Sequence, residues 1–171
     1  MNLQQRRQAQ HKSAMLRNPG RWQANPTAAF AVILERTPMR ENDVAKSSNA
    51  VRTAWHHLCN GSGTTDDFDR VAMAMNICLV RAESIGPDAV EVATRAQDAL
   101  VTMQQRYLRL HRFGPDADAL AHVPIALQLY DELLRMSSPL QLETALAEAY
   151  QRIADGDVLG LTDVAAEACA A

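Results

Sequence analysis

The sequence predicts an all-α protein, an antiparallel up-down bundle of four to five helices with an irregular basic N-terminal arm. Three observations carry that prediction. Alanine, the residue least costly to place in a helix, supplies 29 of the 171 residues. Glycine and proline number only seven each, too few for a many-turned β architecture, a collagen-like chain or a low-complexity one. Along most of the second half, apolar residues recur at spacings of three and four between short punctuated joints, which favours antiparallel neighbouring helices. A single chain of this length buries roughly 70% of its extended surface, so it needs no disulfide or metal to hold a core.

The chain divides into three parts on this reading. Residues 1–26 form a flexible or marginally helical basic arm, 27–160 a single helical-bundle domain, and 161–171 a weakly ordered C-terminal segment. The arm is rich in Gln, Arg and Ala, but Leu3, Met15 and Leu16 do not make a continuous apolar face. Asn18-Pro19-Gly20 and Asn25-Pro26 punctuate it. The run Ala28–Leu34, AAFAVIL, suits either a short buried helix or a strand, and its alanines favour the helix.

The bundle helices follow in order. Val44, Val51, Trp55 and Leu58 predict a helix from about residue 40 to 58, closed by Cys59-Asn60-Gly61-Ser62-Gly63. Thr64 and Asp67 have capping-box spacing, and Phe68, Val71, Ala72, Met75, Leu79 and Ala82 make a stripe that ends at Ile85-Gly86. Pro87 restarts the chain. Val90, Ala93, Gln97 or Ala96, Leu100, Met103, Tyr107 and Leu110 carry the third helix to Phe113-Gly114, roughly 39 Å at 1.5 Å per residue. Pro115 opens the fourth, with Leu120, Val123, Leu127, Tyr130 and Leu134 on one face and a kink expected near Pro124. Ser138-Pro139-Leu140-Gln141 combines cap, first-turn proline and capping-box glutamine; Leu142, Ala145, Leu146, Ala149, Tyr150 and Ile153 line that helix. Gly156 and Gly160 end it, and only a weak terminal helix from about residue 162 is expected. Gly-Pro-Asp-Ala at 86–89 and 114–117 fits a reused helix-start signal or a duplication with a 28-residue period, and the divergence of the residues that follow favours reuse.

Charge is distributed unevenly. The net charge is −3, yet residues 1–60 carry nine Lys/Arg against three Asp/Glu, and 61–171 carry eight against seventeen. Either the two parts attract each other, or the arm reaches an anionic partner. No apolar run is long enough to span a bilayer, and the basic N-terminus lacks the apolar segment of a secretory signal. Three widely spaced cysteines, Cys59, Cys78 and Cys169, point to a reducing cytoplasm rather than a disulfide framework.

Specific chemistry is sparse. His56-His57-x-Cys59 concentrates metal-ligand types, but adjacent helical residues diverge by about 100° and no second cluster completes a zinc site. Gly61–Thr65 has the composition of a phosphate loop without its lysine or its preceding strand. Asn76, set among apolar residues, needs amide partners if buried. Cys78 should be an inert core thiol. No nucleophile elbow and no Glu-x-x-His carboxylate pattern occurs. We therefore assign no catalytic, cofactor or metal residue, and the chain reads as a non-enzymatic protein-interaction module: an adaptor, inhibitor or assembly factor. The candidate partner or anion contacts are Arg6, Arg7, Lys12, Arg17, Arg21 and Trp22 in the arm, with Arg106, Arg109 and Arg112 near the end of the third helix. The expected partner is a protein or a second copy. The alternative is a nucleic-acid-binding accessory or regulatory role through the basic arm, and no membrane association is expected.

Overall fold

The structure, a computed structural model, describes residues 37–160, which lie in one compact unit. Five helices and no strand occur among the described residues: α1 Glu41–Asn60, α2 Thr65–Ala82, α3 Pro87–Leu110, α4 Ala117–Met136 and α5 Pro139–Asp155. The expectations for the arm at 1–26, for the run at 28–34 and for the segment 161–171 fall outside the described residues.

Helix α2 sits at the centre, packed against α1, α3, α4 and α5, while α4 also packs against α3 and α1. The first four helices thus surround the main core in an up-down bundle. Its fully buried members include Leu58, Phe68, Val71, Met75, Leu100, Met103, Val123 and Leu127. Burial of each large side chain contributes about 1.5–3 kcal/mol. Helix α5 docks on a different face of α2, where Val80, Ala145 and Ala149 form a small second core with Met73 and Ile77 against it. No described helix is long and apolar enough to cross a membrane.

Local chemistry explains the helix ends. Thr64 Oγ1 accepts from the Asp67 N–H while Asp67 Oδ2 accepts from the Thr64 N–H, the reciprocal capping box expected from the spacing. Ser138 and Gln141 make the same exchange ahead of Pro139 at the start of α5. Asp116 caps α4 by accepting from the Ala119 N–H at 2.9 Å, so that helix begins just after the predicted Pro115. It then runs through Pro124 as one helix. At the exit of α1, Gly61 takes the left-handed φ of 80°. Gly63 passes so close to Leu58 that an added Cβ would lie 2.8 Å from its Cα. The Gly-Ser-Gly stretch is a tight helix exit.

Helix α3 ends three residues before the predicted Phe113. His111 adopts φ 50°, the left-handed conformation that terminates the helix, and its N–H bonds to the Tyr107 carbonyl. The chain then turns back and buries Phe113 between Phe68, centroids 5.0 Å apart, and Tyr107, 4.1 Å apart. Because Phe113 fills that end of the core, Leu110 is left 56% exposed instead of closing the stripe. Two other stripe assignments also shift. Leu120 is 53% exposed because Ala119 and Val123 face inward, and Tyr150 is 55% exposed because Ala145 and Ala149 do.

Polar contacts tie the helices together. Arg52 on α1 donates through both Nε and Nη2 to Asp131 Oδ2 on α4. Arg152 on α5 makes a two-pronged contact with Glu83 beyond the end of α2, at 2.6 and 2.7 Å. Arg81 donates to Ser137 Oγ at 3.1 Å, linking α2 to the α4–α5 joint.

Candidate interaction surface

Asn76 is fully buried and fully engaged. Its Oδ1 accepts from Gln97 Nε2 at 2.7 Å and its Nδ2 donates to the Leu159 carbonyl at 2.9 Å. Gln104 donates to the Gly160 carbonyl at 3.2 Å. Asn76 of α2 and Gln104 of α3 therefore hold the segment after α5 against the bundle, with Gln97 of α3 orienting the Asn76 amide. No buried side-chain nitrogen or oxygen among the described residues lacks a partner. Asn76 is thus a register and docking residue, as its placement in an apolar run implies, rather than a ligand contact.

The histidine–cysteine cluster does not assemble a centre. His57 Nδ1 lies 3.3 Å from Asp67 Oδ1, while His56 and Cys59 are exposed. No group of three or more His, Cys, Asp or Glu side chains among the described residues is arranged to hold a metal ion. Burial pushes the Asp67 carboxyl up, but hydrogen bonds from the Thr64 backbone and hydroxyl, with His57 beside it, outweigh that and hold it below its ordinary value. Desolvation raises both described thiols, and Cys78, within 3.9 Å of the Ala126 carbonyl, is pushed up to about 12. Neither carries the environment that generates a reactive thiolate.

The candidate arginines divide. Arg6, Arg7, Lys12, Arg17, Arg21 and Trp22 fall outside the described residues. Arg106 turns inward on its own loop, donating to the Gly114 carbonyl and to Asp116 Oδ2 at 3.1 and 3.2 Å. Arg109 and Arg112 are exposed. Leu108 beside them is 64% exposed, but Leu108, Arg109 and Leu110 fan out around the helix end at about 100° per residue and share no face.

A shallow, open groove lies elsewhere on the bundle. Helices α1 and α5 both pack on α2, and residues of all three line a groove of about 490 Å³. Its floor is a complete stripe of α2: Asp66, Asp69, Arg70, Met73, Ala74 and Ile77. The α1 wall is made of Ser47, Ala50 and Val51. Tyr130 of α4 and Tyr150 of α5 complete the lining. Tyr130 is buried, and that burial, with Cys78 and Asp131 nearby, pushes its hydroxyl up to about 12. Tyr150 instead exposes more than half its surface.

None of these groove residues was singled out for binding from the sequence. A signal was present in α2. Met73, Ile77 and Val80 form a second apolar line beside the Phe68–Val71–Met75 stripe, and a helix apolar on more than one face has more than one partner to cover it. One partner is α5. The sequence pattern alone does not say that α5 covers only part of that line.

No family model matches the chain, and no curated protein or solved structure matches it.

Proposed function

We propose that the chain is a non-enzymatic helical interaction module, of the adaptor, inhibitor or assembly-factor kind, and that it engages its partner through the α1–α2–α5 groove. The observation that carries this reading is Tyr150, more than half exposed on the lining of a groove floored by Met73, Ala74 and Ile77. Aromatic side chains that stand beside apolar concavities supply much of the binding energy at protein interfaces. The surrounding bundle is cross-linked by ion pairs and capped helices, a rigid frame for such a surface. The odd set of widely spaced cysteines supports a reducing, cytoplasmic setting.

Site-specific photo-crosslinking tests the reading. A benzophenone side chain replacing Tyr150 in the full chain should give protein adducts in extracts of the source cell, whereas the same group at exposed Thr94 on α3 should not. Equal labelling at both positions, or none at Tyr150, overturns it. The alternative, a nucleic-acid accessory role, draws support from the five basic and no acidic residues in 1–22 and from exposed Arg109 and Arg112. Anisotropy of labelled duplex DNA with the full chain decides that alternative, because phosphate-driven binding weakens steeply as salt rises. The interaction reading expects no such binding.

A further inference from the structure

We propose that α5 and the strap that follows it, residues 156–160, form a hinged lid over the second apolar line of α2, and that the closed lid holds this strip out of a partner's reach. The proposal concerns the regulation of the groove and rests on the interaction reading above. The lid has a pivot, a thin apolar underside and a latch, each made by named residues.

The pivot is the α4–α5 joint. Ser137 and Ser138 are buried there. The Ser137 carbonyl accepts from the Met39 N–H at 3.1 Å, its hydroxyl accepts from Arg81 Nε, and the Ser138 capping box fixes the first turn of α5. The underside is slight. Ala145 and Ala149 are the only buried residues of α5, and with Val80 they make a small core separate from the main one. The latch lies at the far end. Arg152 grips Glu83 through two hydrogen bonds, and Gly156 ends the helix at φ 77°. Beyond it Leu159 enters the main core, 5% exposed. The Leu159 carbonyl accepts from Asn76 Nδ2, and the Gly160 carbonyl accepts from Gln104 Nε2.

Two alanine side chains bury little area, so the hold on α5 is concentrated in a few directional contacts near its end. Releasing them takes one buried leucine from the main core and leaves its other buried members in place. An element held this way opens locally while the rest stays folded, and a minor open state of about 0.1–10% is ordinary. Opening uncovers Met73, Ile77 and Val80, the i, i+4, i+7 line of α2 against which α5 packs. Met73 and Ile77 also line the groove, so the open state adds to the groove the apolar strip that the lid covers. Tyr150 rides on the lid itself.

Amide hydrogen exchange on the full chain, read by mass spectrometry, tests the lid. Leu159→Ala lies outside α5, yet it should speed exchange of 139–155 and of the strap together, by about tenfold or more, while α2 and α3 keep their protection. Arg152→Ala, which touches neither core, should speed the same segment about threefold. It carries the test if Leu159→Ala does not fold. An apolar dye that brightens on exposed hydrophobic surface should brighten with both variants. Faster exchange of the strap alone overturns the proposal, because the latch then does not hold the helix. Equal loss of protection in α2, α3 and α5 also overturns it, because α5 then belongs to one cooperative unit with the bundle.

Photo-crosslinking separates the lid from the interaction reading. With the benzophenone group at Tyr150, Leu159→Ala should raise the yield of protein adducts about threefold, as a larger open population binds more partner. Unchanged adducts beside a released α5 would overturn the lid's control of the groove and leave the interaction reading standing. No adducts in either chain would remove both.

Discussion

One buried amide links three segments of this bundle. Asn76 satisfies Gln97 on α3 and the Leu159 carbonyl after α5, so it joins three segments at one point. Replacing it with leucine removes no volume but strands the Gln97 amide and a buried carbonyl, each of which costs free energy when left without a partner. Asn76→Leu should destabilise the protein by about 2–3 kcal/mol in urea titration. Adding Gln97→Leu should restore part of that, because it removes one of the two stranded groups. Additive losses in the double variant would show that the two amides do not act as a pair. The asparagine's need for partners was legible from its apolar neighbours. That one partner would be a backbone carbonyl 83 positions away was not.

Among the elements, α5 is the least entrenched. It has the best start signal in the chain, yet its only buried residues are Ala145 and Ala149, and its docking is on α2. Two alanines bury little apolar area, so the Arg152–Glu83 contact and the Leu159 and Gly160 anchors carry more of its attachment. Local openings follow contact density. Amide hydrogen exchange should therefore show α5 opening at lower free energy than α2 and α3, with Arg152→Ala lowering its protection further. Protection of α5 equal to that of α2 would mean it belongs to the same cooperative unit. Helix boundaries in general were legible, because capping boxes and glycine exits act locally. The end of α3 was not, since His111 terminates it in a left-handed conformation that its residue type only weakly favours.

At the scale of the molecule, two carboxylates held low by their partners predict a loss of stability in acid. The hydrogen bonds from Arg152 hold the Glu83 carboxyl below its usual range, opposed in part by burial, and Asp67 is held low by Thr64 and His57 against its own burial. Both have lower values folded than unfolded. Their stabilisation is therefore full above the ordinary carboxylate range, near pH 4, and is lost as the pH falls through their lowered values. Thermal melts should show a Tm that is flat from about pH 7 to 5 and drops below about pH 4. Glu83→Gln should shrink that drop modestly, because the pair is partly exposed to solvent. An unchanged acid profile in Glu83→Gln would assign the loss to other groups.

The sequence by itself determined the fold class, the order of the helices among the described residues, and most of their ends. These follow from alanine content, from apolar spacing and from caps whose hydrogen bonds close within three residues. It also marked Cys78 as a core thiol and Asn76 as a polar group in need of partners. Tertiary structure decided which apolar residues stay outside: Leu110, Leu120 and Tyr150 continue their helical stripes, yet each lies where a neighbouring helix or Phe113 has left no partner for it. It likewise decided that Arg106 turns inward and that α1 and α5 leave a strip of α2 uncovered. Periodicity states which way a side chain points from its own helix; only the packing of one helix on another states whether anything is there to meet it.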